Sequence, residues 1–291
     1  MGTRSQFLLA IGLCGWWASP AAAENAEPAI GATPITASTE LSDPSTYAVA
    51  TAAAATATAS SSTQPSGTGW EFAVTPYLWA SGTKADINTP QGESIKVDES
   101  FIDILDDLKF AFMGAFEAKH GRFVSVQDIM FLSLGASADG HLGPIPLEAD
   151  ADLKLLTTSH LFGYRVVDKG PMFVDLFAGG RITSVKVDVD LTGPLQTIER
   201  DRKKTEFGPV IASRVRFPLS DKWGVAIYGD LGGFGVGADL SWQLMGTVQY
   251  EISDRWRLAA GWRHFSAKQS KGGWDVHMKL DGPILGVTYR F

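Results

Sequence analysis

From Trp70 to Phe291, apolar and polar residues alternate with a period of two, interrupted at intervals by turn-forming residues. Over 239–252, Leu240, Trp242, Leu244, Val248, Tyr250 and Ile252 share one face of an extended chain, and Asp239, Ser241, Gln243, Thr247, Gln249 and Glu251 share the other. The last stretch sets Pro283, Leu285, Val287, Tyr289 and Phe291 against Gly282, Gly286, Thr288 and Arg290. Within 204–218, Phe207, Ile211, Val215 and Phe217 oppose Gly208, Arg214 and Arg216; within 256–267, Trp256, Leu258, Ala260 and Trp262 oppose Arg257, Gly261 and Arg263. Successive side chains of a strand point to opposite sides, so these are strands with one apolar face. The runs 122–137 and 148–167 alternate less cleanly, and their faces stay unassigned.

The connections alternate as well. Short ones fall at Lys119-His120-Gly121, Asp168-Lys169-Gly170-Pro171, Leu219-Ser220-Asp221-Lys222 and Ser253-Asp254-Arg255, and long ones near 89–108, 138–147, 192–203, 232–238 and 268–274. Short turns at one end and longer loops at the other are what an up-and-down barrel requires. The pattern predicts ten strands, near 70–88, 109–119, 122–137, 148–167, 172–191, 204–218, 222–231, 239–252, 256–267 and 275–291, with eight or twelve as alternatives. A soluble sandwich alternates too. The aromatic residues separate the two: Trp70, Phe123, Trp223 and Trp256 each begin a strand at the same end, and Tyr289 and Phe291 close that rim, as an interfacial girdle does. No later segment offers 18 uncharged apolar residues for a spanning helix, which leaves a closed barrel as the way to satisfy the backbone in lipid. The predicted fold is therefore all-β, a closed antiparallel up-and-down transmembrane barrel over 70–291.

One segment breaks the period of two. Over 100–108, Phe101, Ile104, Leu105 and Leu108 recur at helical spacing, with Ser100 placed as N-cap and Asp103 at N3. This helix, in the first long loop, is expected either to plug the barrel mouth or to pack on its rim.

The N-terminal region differs in kind. Arg4, the apolar run Phe7–Ala18 and Ala21/Ala23 read as a cleavable signal peptide over 1–23. Residues 24–69 are rich in Ala, Thr, Ser and Pro, contain Glu24, Glu27, Glu40 and Asp43 and lack Lys and Arg, the composition of a disordered tail, expected in the periplasm with the C-terminus. The whole chain carries 25 basic and 32 acidic residues; loss of Arg4 with the leader leaves 24 against 32, a net charge of about −8, which excludes a basic surface for nucleic acid. The single cysteine, Cys14, lies in the leader behind Leu13 rather than a small residue, so neither lipidation nor a disulfide or thiolate metal site is expected.

Candidate chemistry is sparse. His264 and Ser266 share a strand face, and a histidine there can activate a serine, although both are also ordinary interface residues. Glu148, Asp150, Asp152, Asp188 and Asp190 gather near predicted loop ends, with His160 and His277 elsewhere on strands; they read as a cation site or as solvated strand ends. Arg214, Arg216, Glu251, Arg257, Arg263 and Arg290, joined by Glu117, Asp175 and Arg181, are expected to line the lumen. Ten strands enclose far less than a porin does, so these charges should pair and block the bore, with an Arg-lined pore as the alternative. Gly232-Gly233-Phe234-Gly235-Val236-Gly237 has no following helix to make it a phosphate loop and reads as a flexible hairpin. No cofactor and no metal is expected.

The run Gly282–Phe291, with Val287, Tyr289 and a terminal Phe291, resembles the C-terminal signature of bacterial outer-membrane proteins, which implies the barrel-assembly machinery as a partner. Pro76-Tyr77-Leu78-Trp79-Ala80-Ser81-Gly82 and Ser100–Leu108 resemble a group of uncharacterised proteobacterial barrels, a likeness that implies architecture and an outer-membrane location but no activity. His264-Phe265-Ser266 superficially resembles the His-x-Ser motif of outer-membrane lipid A deacylases, whose acidic partner is a Glu on the final strand; here that strand offers only Asp275 and Asp281. The omptin proteases, which use Asp pairs with an Asp-His pair at the external mouth, suggest the comparison for the acidic cluster. The expectation is a non-enzymatic surface or structural barrel with a largely closed lumen, set in outer-membrane lipid and lipopolysaccharide. The alternatives are a narrow channel for small solutes or apolar molecules and a lipid A-modifying or proteolytic barrel enzyme.

Overall fold

The computed structural model describes residues 69–142, 145–192 and 197–291. The expected signal peptide and all but the last residue of the expected tail lie outside them. Twelve strands and one helix follow in order: β1 (Trp70–Trp79), β2 (Gly82–Asn88), β3 (Ser94–Glu99), α1 (Phe101–Asp106), β4 (Leu108–His120), β5 (Phe123–Leu142), β6 (Ile145–Lys169), β7 (Met172–Thr192), β8 (Thr197–Pro218), β9 (Trp223–Gly232), β10 (Leu240–Glu251), β11 (Trp256–Lys271) and β12 (Trp274–Arg290). All pairings are antiparallel, and the order β1-β4-β5-β6-β7-β8-β9-β10-β11-β12 returns to β1, closing a ring of ten.

The first predicted strand is broken. β1 pairs with β12 from Ala73↔Arg290 to Trp79↔Ile284, and β2 continues along the same edge from Gly82↔Asp281 to Asn88↔Asp275. Between them Ala80 donates its N–H to Pro283 O at 2.9 Å. β2 then pairs with β3, which lies where a loop was expected. Among the described residues β3 pairs only with β2, and β5 beyond Leu134 only with β6, so the wall is interrupted between β3 and β5. α1 lies at the foot of this break, where Asp107 O accepts the Gly135 N–H at 2.8 Å.

The outer face carries an apolar belt. Phe72, Leu78, Phe112, Phe162, Leu176, Ile211, Leu244, Leu258, Trp262 and Leu285 are all exposed, while Ser241, Gln243, Thr247, Asp175, Asp230 and Arg216 are buried. A soluble protein would bury the first set; a membrane barrel turns it to lipid and keeps polar groups inside. At the end holding the short turns the girdle is built as aromatic pairs: Trp256 on Tyr289 (4.7 Å), Trp223 on Tyr250 (4.8 Å), and Trp70 edge-on to Phe123 (6.4 Å).

At the opposite end β5 to β8 run well past the belt. The expected loops 138–147 and 192–203 are largely strand, with the ladder continuing to Leu142↔Ile145 and Thr192↔Thr197. Pairing with a neighbouring strand satisfies backbone groups of these segments, and on the inner face Ala151 and Val187 are buried against Leu153, Val185 and Val189, which together favour ladder over loop. The extension from Leu155 to Ile145 is roughly 30 Å at 3.3–3.4 Å per residue. Close strand approach within the ring needs glycine: a Cβ at Gly179 or Gly261 would stand 1.9 Å from a carbonyl oxygen of the adjacent strand.

Candidate functional site

The inward-facing positions place charged and polar side chains in three tiers, counted from the end with the short turns. In the first, Glu251 of β10 receives Arg216 of β8 at 2.8 Å, Arg257 of β11 at 2.6 Å and Arg290 of β12 at 3.0 Å. In the second, Asp175 of β7 receives Arg165 of β6 at 2.8 Å and Arg214 of β8 at 2.7 Å, and Arg214 also reaches Glu117 of β4 at 2.6 Å. β4 and β8 stand four places apart in the ring, so the Arg214–Glu117 bridge crosses the bore. Charges this deep persist only when paired, because an uncompensated one carries the full desolvation penalty.

The third tier is a hydrogen-bonded belt. Tyr77 of β1 donates to Asp128 of β5 at 2.9 Å, and Arg263 of β11 donates to Tyr77 at 3.3 Å and to Gln243 of β10 at 2.8 Å. Gln243, Tyr228 and Arg181 of β7 all donate to Asp230 of β9, at 3.1, 2.8 and 2.7 Å, and Arg181 reaches Ser159 of β6 at 3.1 Å. Arg263 also lies over the Trp79 ring, 4.5 Å from its centre.

This third tier divides the interior. Below it lies a cavity of about 650 Å³ among the charged tiers, and above it a second of about 290 Å³. Arg181, Gln243 and Arg263 line both, so they form the partition. The upper chamber is walled by apolar side chains, among them Trp79, Leu155, Val185, Phe265, Met278 and Leu280. The inner faces of β5 and β6 explain why those strands read poorly in sequence. Val124 and Leu161 pack inward with Phe177 and Val210, so apolar residues occupy both faces.

The candidates named from sequence fall as follows. Arg214, Arg216, Arg257, Arg263 and Arg290 line the lower cavity, and Glu251 is the acceptor of the first tier. Tyr77, Asp128, Arg165 and Asp230 were not singled out. An acidic residue in the middle of an apolar strand, as Asp128 is between Val124 and Leu134, was the signal available for them, because lipid forbids it and the lumen accepts it.

His264 and Ser266 do not form a couple. His264 Nδ1 bonds Asp281 at 2.9 Å and its ring stacks on Trp242, while Ser266 Oγ shares a hydrogen bond with His277 Nε2 at 3.1 Å. The strand register is the cause, since His264 lies opposite Asp281 and Ser266 one diagonal step from His277. The acid thus serves one histidine and the serine another, and Ser266, 4 % exposed, is closed to a substrate.

The acidic candidates lie on the outer face of the extension. Asp152 stands opposite Asp188, which stands opposite Asp201, and the row beside them runs Lys154, Lys186, Lys203. Lys109 pairs with Asp152 and Lys186 with Asp188 at 2.8 Å. Asp150 accepts from Ser137, and the side chain of Glu148 is outside the described residues. His160 bonds Gln127 down in the belt, far along the strand from these carboxylates. Among the described residues no group of three potential ligands is placed to hold a metal ion.

Neither plug nor lumen contact is made by α1, whose residues line neither cavity; Ile102 and Leu105 are exposed at the rim. The glycine segment 232–238, expected as a free hairpin, folds against the chamber: Gly233, Gly237 and Ala238 line it, and Gly237 O accepts from Gln269 at 2.6 Å.

No protein family matches the chain, and no curated relative does. Among solved structures, the outer-membrane protease OmpT of Escherichia coli superposes with a TM-score of 0.47 at 9 % identity, covering 77 % of this chain and 98 % of OmpT. The translocator domain of the autotransporter NalP from Neisseria meningitidis gives 0.40 at 13 % identity, covering 77 % and 89 %. Ail, the attachment invasion locus protein of Yersinia pestis, gives 0.29 at 11 % identity, covering 77 % and 99 %. At such identities and TM-scores neither an activity nor a location carries over to the chain.

Proposed function

We propose that this chain is an integral outer-membrane protein whose barrel serves a surface or structural role with its lumen closed, rather than an open pore or an enzyme. The observation that carries this reading is the Arg214–Glu117 bridge spanning the bore at 2.6 Å, backed by the belt from Asp128 to Ser159 above it. Ions would have to displace a partly or fully buried charge pair or hydrogen bond at each tier, and leaving any of those charges uncompensated is costly. The split between His264–Asp281 and Ser266–His277 speaks against a lipid A deacylase, and the outward, Lys-paired carboxylates speak against an omptin-like site.

In this reading the end with the short turns and the Trp70 and Phe291 girdle faces the periplasm, and the long β5–β8 extension faces outward. The row Lys154, Lys186 and Lys203 beyond the belt suits the phosphates of lipopolysaccharide, and Val287, Tyr289 and Phe291 present the signature for the barrel-assembly machinery. Planar-bilayer recording tests the closure. The refolded wild-type barrel is expected to give no discrete openings, while Arg214→Ala, which removes the cross-bore bridge, is expected to introduce them. Steady openings from the wild type that Arg214→Ala or Arg263→Ala alters would sink the closed-lumen reading.

A further inference from the structure

The chamber above the third tier is a finished cavity in a part of the molecule that the closed lumen does not need. Its volume of about 290 Å³ sits at the small end of ligand pockets. Its walls are apolar, yet two of its lining residues hold buried N–H donors without a hydrogen-bond partner, Trp79 Nε1 and Arg181 Nη1; the remaining unpartnered buried atom among the described residues, Asp230 Oδ1, belongs to the belt and does not line the chamber. Buried donors are nearly always satisfied, so two in one apolar chamber ask for an acceptor brought from outside. Charge agrees with this. Arg263 lies at the same floor, over the Trp79 ring, and Arg202 and Lys204 outnumber Glu206 among the chamber's charged lining on β8.

We infer that the chamber binds a small apolar carboxylate, with the carboxylate on the Trp79 and Arg181 N–H groups and the hydrocarbon body against Leu155, Val185, Phe265 and Met278. The inference deepens the closed-lumen reading, because the hydrogen-bonded belt that closes the bore is also the floor of this site. A neutral alkane would leave both donors unmet. A lipid headgroup, polar throughout, would leave the apolar walls without a partner. A carboxylate of medium chain length meets both the donors and the walls, and the guanidinium of Arg181 makes its hydrogen bond charge-assisted.

The test uses the refolded full barrel in lipid nanodiscs with radiolabelled decanoate, empty nanodiscs giving the partition background. Saturable uptake of one decanoate per barrel is expected. Trp79→Phe should weaken it about tenfold or more, the loss of one hydrogen bond to a charged group, while leaving the weaker uptake of decane unchanged. Met278→Trp, which fills the chamber, should abolish uptake of both. Unheated gel mobility of each variant verifies that the barrel is folded. Absence of saturable uptake by folded wild-type protein overturns the site, as does full uptake by folded Met278→Trp; equal decanoate affinity in wild type and Trp79→Phe overturns the carboxylate assignment. Bilayer recordings on the same preparation read the closure separately: a conducting barrel that still takes decanoate overturns closure alone, and a silent barrel that takes none overturns the site alone.

Discussion

Asp175 has no exposed surface, and both its oxygens are taken by guanidinium groups: Arg165 donates through Nε at 2.8 Å and Nη2 at 3.2 Å, and Arg214 through Nε at 3.2 Å and Nη2 at 2.7 Å. Arg165 is further held over the Phe173 ring, 3.8 Å from its centre. Asp175→Asn keeps the shape but leaves two guanidiniums sharing a neutral acceptor, so it is expected to destabilise the barrel by about 3 kcal/mol. Equilibrium urea unfolding of the refolded protein in phospholipid vesicles reads this; an unchanged midpoint would mean that the second tier contributes specificity and no stability. The partners of Asp175 were not legible from the chain. Arg165 lies in a run whose faces could not be assigned, and Arg214 is 39 positions away, adjacent only because β7 and β8 pair.

Helix α1 shows local chemistry acting on its own. Ser100 Oγ donates to Asp103 Oδ2 at 2.6 Å, the Ser100 N–H reaches the same oxygen at 3.0 Å, and the Asp103 N–H returns to Ser100 Oγ at 3.3 Å, completing a capping box. These bonds, that from the Ser100 hydroxyl first, hold the Asp103 carboxyl below its ordinary value. A carboxylate whose folded pKa is depressed contributes stability that is present above the unfolded pKa and lost as pH falls through the folded one. The helix start should therefore hold through the ordinary aspartate range near 3.9 and fray only below it. Carbon-13 titration of labelled aspartates, assigned with Asp103→Asn, should give a midpoint below that value, and Ser100→Ala should bring it back. The cap and the spacing of α1 were readable in sequence because they involve residues within one turn. Its position on the rim was not, since Phe101 and Leu105 would suit either a lumen or a lipid-side surface.

For the molecule as a whole, ten paired strands close on themselves; among the described residues the ring is interrupted at its extended end, between β3 and β5 and beside β8 before Val210, and unfolding must break the ladders of the closed part. The protein is expected to run faster on a denaturing gel unheated than boiled, and to fractionate with outer membranes. Identical mobility in both lanes together with release into a detergent-free soluble fraction would overturn the membrane assignment. The same closure explains the tiers, because a ring of ten strands brings Glu117 within reach of Arg214 and Tyr77 within reach of Arg263, at separations of 97 and 186 residues.

The chain by itself determined what depends on neighbours along it: the ten-strand ring, though not the break between β1 and β2 or the strand β3, the apolar outer sides of β8, β10, β11 and β12, the aromatic girdle and the N-cap of α1. Those features follow from periodicities of two and 3.6 that any extended or helical segment expresses locally. Tertiary structure alone decided which charges meet across the bore, that β5 to β8 continue as ladder where polar composition suggested loops, that Ser266 turns to His277, and that the upper lumen is apolar. Each of these depends on strand register and ring closure, which bring together residues whose separation in sequence carries no signal of their contact.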